Sequence, residues 1–210
     1  MTSVDSSESG QDADIPVSEA TNRAIVLWGI ALLACVAGVG FTTVQIVEKI
    51  AILKDPFTTL SCDVNQTLSC SSVLMAWQSS VLGPPNALIG AIMFAVLGSG
   101  ALAGLLGSAL HRGYVATLWG LAVFFLCFAS WFMFETAFSI RALCLWCTGI
   151  TTAVVVICAA LTRIADRTGA LGGGSFGRAV AAAVRTRGDL ALWAGWWLVI
   201  AALLWLGLAT

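Results

Sequence analysis

Charge is scarce in this sequence. Of its 210 residues only 10% are charged, ten basic and eleven acidic, while 59% are hydrophobic. A soluble domain averages about 25% charged residues, so there is too little charge here to coat a water-soluble enzyme. A disordered chain needs the opposite balance and is excluded as well. The net charge of −1 leaves no basic footprint for nucleic acid. Tyrosine occurs once and histidine once, and there is no internal repeat. The first 22 residues hold five acids and no base, the reverse of the basic start of a secretory signal. The stretch Leu32–Cys35 faintly resembles a lipoprotein cleavage box. Cutting there would leave only 12 apolar residues before Glu48, too few to span a bilayer.

Long apolar runs are abundant. Five are long enough for a bilayer core of about 30 Å: 24–47, 87–110, 114–134, 143–162 and 190–209. Each is apolar all round, as a lipid-embedded helix is, and none contains an acid or a base. Ion pathways usually carry such a group, so ion transport is disfavoured. The expected fold is therefore all-α, an integral membrane protein of five helices. The expected organisation is a disordered acidic tail over 1–22, a core over 23–165 with a loop over 48–86, a flexible linker over 166–189 around Gly172-Gly173-Gly174-Ser175, and a fifth span over 190–210. With the N-terminus cytoplasmic, seven basic residues fall inside and three outside (Lys49, Lys54 and Arg141). The positive-inside rule favours that orientation in the cell membrane.

The topology sorts the seven cysteines. Cys35, Cys127 and Cys158 lie within spans and read as small packing residues. Cys62, Cys70, Cys144 and Cys147 gather at one membrane face, which the charge rule makes the oxidising one. Cys144-Leu145-Trp146-Cys147 is a C-x-x-C at a helix start, where residues i and i+3 share a face within disulfide reach. The helix N-terminus, with Arg141 close by, favours a thiolate there. Cys62 and Cys70 can close a short loop. Ser69 is the expected N-cap of a short amphipathic helix carrying Val73, Leu74, Trp77 and Val81. Two dithiol pairs at one surface suggest electron transfer by disulfide exchange. A re-entrant loop with a structural disulfide is the plainer alternative. Four thiolates on zinc is another, weakened by the absence of His from the loop. We expect no metal.

The segments Glu48-Lys49, Lys54-Asp55-Pro56, Ser61-Cys62, Leu68–Val73 and Gly83–Gly90, with Leu143–Cys147 roughly 75 residues on, resemble bacterial members of the vitamin K epoxide reductase family over about 24–163. The resemblance implies a four-helix bundle around a quinone, menaquinone or ubiquinone, near the outer face, capped by the loop and its short helix. It implies an enzyme that reoxidises an extracytoplasmic thioredoxin-fold partner and supports disulfide formation in secreted proteins. Carried over, Cys62 is attacked by the partner's thiol. Cys70 then attacks the C-x-x-C through a transient Cys70–Cys144 bridge, and Cys147 faces the quinone. Asn86 matches an asparagine that hydrogen-bonds a quinone oxygen, and Trp146 is a further candidate wall of that site.

Two positions depart from the family's pattern. Ala76 stands where a hydroxyl is usual, with Ser79 or Ser80 as substitutes, and Thr151 stands where many relatives have an aromatic residue. Many relatives also carry a thioredoxin-like domain after the fifth span, which this sequence lacks, so a separate partner is expected. The cysteines alone leave open a reductase of a small quinone or epoxide, and a non-enzymatic membrane protein with a structural disulfide. His111 is expected at an interfacial turn and Glu135 in solvent just beyond the third span.

Overall fold

The computed structural model describes the backbone of residues 14–209 and the side chains of residues 22–207. No strand occurs among them, and the structure is built from helices: α1 (Asp14–Lys54), α2 (Cys70–Met75), α3 (Asn86–Leu105), α4 (Arg112–Glu135), α5 (Leu145–Arg167), α6 (Ser175–Arg185) and α7 (Gly188–Ala209). A 3-10 turn, Trp77–Ser80, follows α2, and a π-helical turn, Thr136–Ile140, follows α4. Five helical segments are long and apolar enough to cross a membrane: Asn22–Lys54, Asn86–Leu105, Arg112–Ile140, Leu145–Arg167 and Gly188–Gly207. The chain is a multi-pass, all-α membrane protein.

The bundle core comprises α1, α3, α4 and α5, with α1 lying against both α3 and α5 and α4 against α5. Lipid gives packed helices no hydrophobic drive, so close approach through small residues holds them together. A Cβ at Gly38 would meet the ring of Phe94 at 2.4 Å, and one at Gly104 would meet Trp28 at 2.3 Å. Both contacts seat α1 against α3. Phe94, Val115, Leu118, Ile157 and Cys158 form the centre of the larger apolar cluster. Leu33 and Leu198, about 70% exposed, face outward as lipid-facing leucines do (72% and 69%). Cys35 and Cys158 are buried packing residues, whereas Cys127 is exposed.

Several element ends depart from the sequence expectation. α1 begins at Asp14, inside the segment expected to be disordered tail; residues 1–13 of that tail lie outside the described residues. Extending an existing helix adds one hydrogen bond per residue fixed, so a long apolar span carries its flank along. At its other end α1 runs to Lys54 rather than stopping near Val47. α3 ends five residues before Leu110, followed by Gly107 at φ 80°. The expected linker contains α6, whose apolar and basic residues are segregated to opposite faces, so that it is helical from Ser175. His111 caps α4, its Nδ1 accepting from Gly113 N at 3.1 Å.

α7 is bound to the bundle at both ends. Arg163 of α5 makes a two-pronged pair with Asp189, at 2.5 and 3.0 Å. Gly207 lies against the π-helical turn so closely that a Cβ there would meet the Ala137 carbonyl oxygen at 2.7 Å. Ile200 and Leu204 of α7 belong to the second apolar cluster, the one that contains the four clustered cysteines.

Candidate functional site

The loop after α1 is organised by Asp63. Its carboxylate accepts from the backbone N–H groups of Leu60 (3.2 Å) and Ser71 (3.0 Å) and from the Ser69 hydroxyl (3.1 Å). Burial alone would push this carboxyl up. The Ser71 and Leu60 amides and the Ser71 and Ser69 hydroxyls outweigh it and hold the group below the usual carboxylate range. Ser69 is the N-cap of α2, its Oγ accepting from Ser72 N at 3.3 Å, and Cys70 is the first residue of that helix. Cys62 and Cys70 are joined in a disulfide across a Cα separation of 5.7 Å.

A short parallel bridge pins this loop to the segment entering α5. Leu143 N donates to the Thr67 carbonyl at 2.7 Å and Ser69 N donates to the Leu143 carbonyl at 3.2 Å. The next residue, Cys144, is the N-cap of α5, and its sulfur accepts from Cys147 N at 3.4 Å. The clamp thereby sets Cys70 Sγ 3.1 Å from Cys144 Sγ. The sulfurs of Cys62, Cys70 and Cys144 lie within 4.8 Å of one another. Two of these three are bonded to each other, and a disulfide offers no thiolate to a metal. The arrangement is one for exchange: a sulfur poised beside a disulfide can attack it once it becomes a thiolate.

Cys147, one helical turn on from Cys144, lies in the wall of a cleft between the bundle and the loop. Phe124, Phe125, Phe128 and Phe132 of α4 make much of the opposite wall. Its polar lining comes from Thr42, Gln45 and Lys49 of α1, with Ser79, Asn86 and Thr151. Asn86 opens α3, and its Nδ2 donates to the Gln78 carbonyl at 2.6 Å. Its Oδ1 is buried with no partner among the described residues.

The positions that depart from the family's pattern fall into place here. Ala76 ends α2. Of the two proposed substitutes, Ser79 lines the cleft, donating to the Leu74 carbonyl at 2.6 Å and accepting from Lys49 Nζ at 3.2 Å; Ser80 does not line it. Lys49 also donates to the Leu74 carbonyl. The Thr151 hydroxyl turns back to the Cys147 carbonyl at 3.0 Å. Trp146 does not line the cleft: it lies against Phe41 of α1, ring centroids 6.1 Å apart. Consecutive helical residues point about 100° apart, so when Cys147 faces the cleft its neighbour faces α1. Glu135 is half-buried rather than solvated, accepting from Gln78 Nε2 at 3.1 Å.

Two residues at the sulfurs were not singled out as functional by sequence. Gln45 Nε2 donates to Cys147 Sγ at 2.8 Å and reaches Cys144 Sγ at 3.6 Å. Glu48 accepts from Ser61 Oγ at 2.5 Å and lies 3.8 Å from Cys62 Sγ. The available signal was their spacing. Thr42, Gln45 and Glu48 are polar at intervals of three toward the end of an apolar run, which places them on one helix face.

Residues 29–162, well over half of the chain, match the Vitamin K epoxide reductase family. Among curated proteins none matches. With paired cysteines meeting beside an apolar cleft in a membrane bundle, the chain belongs to the vitamin K epoxide reductase family, whose members are membrane oxidoreductases that work through cysteine pairs.

Proposed function

We propose that this protein is a quinone-dependent thiol–disulfide oxidoreductase that reoxidises a thioredoxin-fold partner on the extracytoplasmic side and so supports disulfide formation in secreted proteins. The observation that carries the reading is the placement of Cys70 Sγ 3.1 Å from Cys144 Sγ, with Cys147 on the cleft wall beyond it. Two dithiol pairs are thereby joined in series from a surface loop to an aromatic-walled cleft.

In this reading a thiolate of the partner attacks Cys62, forming a mixed disulfide and releasing Cys70 as a thiolate. Cys62 is only 2% exposed, so in this reading the loop around it shifts when the partner reaches it. Cys144 and Cys147 are free thiols in this structure. Once they are bonded to each other, their two electrons passed to the acceptor, Cys70 attacks Cys144, the Cys144–Cys147 bond breaks and Cys147 leaves as a thiolate into the cleft. The partner's second thiol then resolves the mixed disulfide, leaving Cys62 to regenerate the loop disulfide from the Cys70–Cys144 bridge. A quinone, menaquinone or ubiquinone, supplies the sink for two electrons and two protons when bound. The cleft fits such a group. Its walls are aromatic, and Asn86 offers an unpartnered carbonyl oxygen for a ring hydroxyl together with the second N–H of its amide for a ring carbonyl. A buried polar group without a partner costs about 1–3 kcal/mol, and a ligand there relieves that cost.

Cys147→Ala tests the reading. The variant is expected to accept electrons from a reduced thioredoxin-fold protein at its loop disulfide yet to reduce no quinone. Undiminished quinone-dependent thiol oxidation by this variant would sink it.

A further inference from the structure

Three polar side chains of α1 are buried at the redox end, Thr42, Gln45 and Glu48, at 0%, 5% and 8% exposure. Two have settled partners. The Thr42 hydroxyl donates to the Gly38 carbonyl of its own helix at 2.8 Å, and Glu48 holds Ser61. Gln45 differs, because its amide nitrogen is directed at sulfur, 2.8 Å from Cys147 and 3.6 Å from Cys144. A neutral thiol is a weak acceptor, so a buried amide spent on one is poorly compensated. A thiolate is a strong acceptor, and a charge-assisted bond is roughly twice as strong as a neutral one. The placement is favourable when Cys147 carries a charge.

We propose that Gln45 is a catalytic residue of the sulfur relay, its side-chain N–H holding Cys147 as the leaving thiolate when Cys70 attacks Cys144. The proposal rests on the relay described above. In that step the Cys70–Cys144 bond forms as the Cys144–Cys147 bond breaks. The electron pair of the broken bond stays on Cys147 sulfur, and no proton moves. Cys144 is then bound to Cys70, so Cys147 is the sole thiolate of the pair and the Gln45 amide is its donor. Gln45 occupies α1, outside both cysteine segments, so it keeps its place while the sulfur bonds exchange.

The test uses full-length Cys62→Ala protein, in which Cys70 and Cys144 can bridge and Cys147 is left as the free thiol of the relay. Alkylation of Cys147 by a small uncharged maleimide is followed across pH by peptide mass mapping, with no quinone present. Gln45→Met removes the donor at nearly constant volume and is expected to move the alkylation profile up by about one pH unit. Gln45→Glu replaces the donor with a negative charge and is expected to move it further. A purely structural role would not produce that ordering. A bridged protein with both profiles unchanged would overturn the role of Gln45 and leave the relay standing. Failure of the Cys70–Cys144 bridge to form even with Gln45 intact would overturn the relay and this proposal together. Should either variant fail to fold, Gln45→Asn, which keeps the amide and withdraws it by one methylene, is expected to give an intermediate upward shift, and no shift there overturns the proposal.

Discussion

Asp63 sits between the two loop cysteines in the chain and binds the segments that carry both. Its carboxyl is held below the ordinary range, so the sign of its pH effect is fixed. It contributes stability above the unfolded value near 3.9, and loses that contribution as pH falls through the lower folded value. Asp63→Asn is expected to destabilise the protein at pH 7 by on the order of 1 kcal/mol, a charge-assisted bond discounted for solvent access. The deficit narrows as acid is added, and thermal melts of both proteins in detergent at pH 7 and pH 3 would check it. An equal deficit at both values would show that geometry rather than charge matters at this position. Nothing in the local sequence marks Asp63, because its partners, Leu60, Ser69 and Ser71, are assembled by the loop itself. Spacing and resemblance pointed to the four cysteines and to Asn86, which the fold gathers at one end of the bundle, whereas Ser79 and Ser80 were equal alternatives in sequence and only Ser79 faces the cleft. Trp146 was misplaced because spacing fixes that it neighbours Cys147, and only the helix rotation fixes which way it points.

At the scale of elements, the site depends on the bridge between Leu68 and Leu143. Leu143→Pro removes the N–H that donates to Thr67 at 2.7 Å. In a Cys62→Ala, Cys147→Ala background the remaining Cys70 and Cys144 are expected to form a disulfide readily, since their sulfurs already lie 3.1 Å apart. Adding Leu143→Pro is expected to lower the bridged fraction severalfold, read on non-reducing gels with peptide mapping. An unchanged fraction would mean that α2 and α5 hold the sulfurs together without the clamp. The apolar runs announced every spanning helix, and Ser69 announced the start of α2. The bridge was invisible, because a single pair of backbone bonds between distant segments leaves no periodic trace. The π-helical turn and α6 escaped for a related reason: one depends on how α4 hands over to the Cys144 segment, the other lies in what composition marks as linker.

For the whole molecule, the reading requires the sulfurs to face the oxidising side with α6 on the other. An impermeant maleimide applied to intact cells is expected to label Phe57→Cys, placed at a residue 92% exposed, and to spare Gly173→Cys until the membrane is opened. The reverse pattern would invert the topology and remove the partner from reach. α7 was legible as a span but not as a contributor to the redox end, where Ile200 and Leu204 join the apolar cluster around the cysteines. The backbone clamp also imposes an order on synthesis. Leu68 leaves the ribosome well before Leu143, with α3 and α4 between them. In the proposed topology Cys62 and Cys70 therefore reach the oxidising side first and are free to bond early, whereas Cys70 meets Cys144 only after α5 has been inserted. On the proposed relay, an unfinished chain exposes a plain disulfide with no outlet for electrons, so electron transfer waits until the bundle around the cysteines is complete.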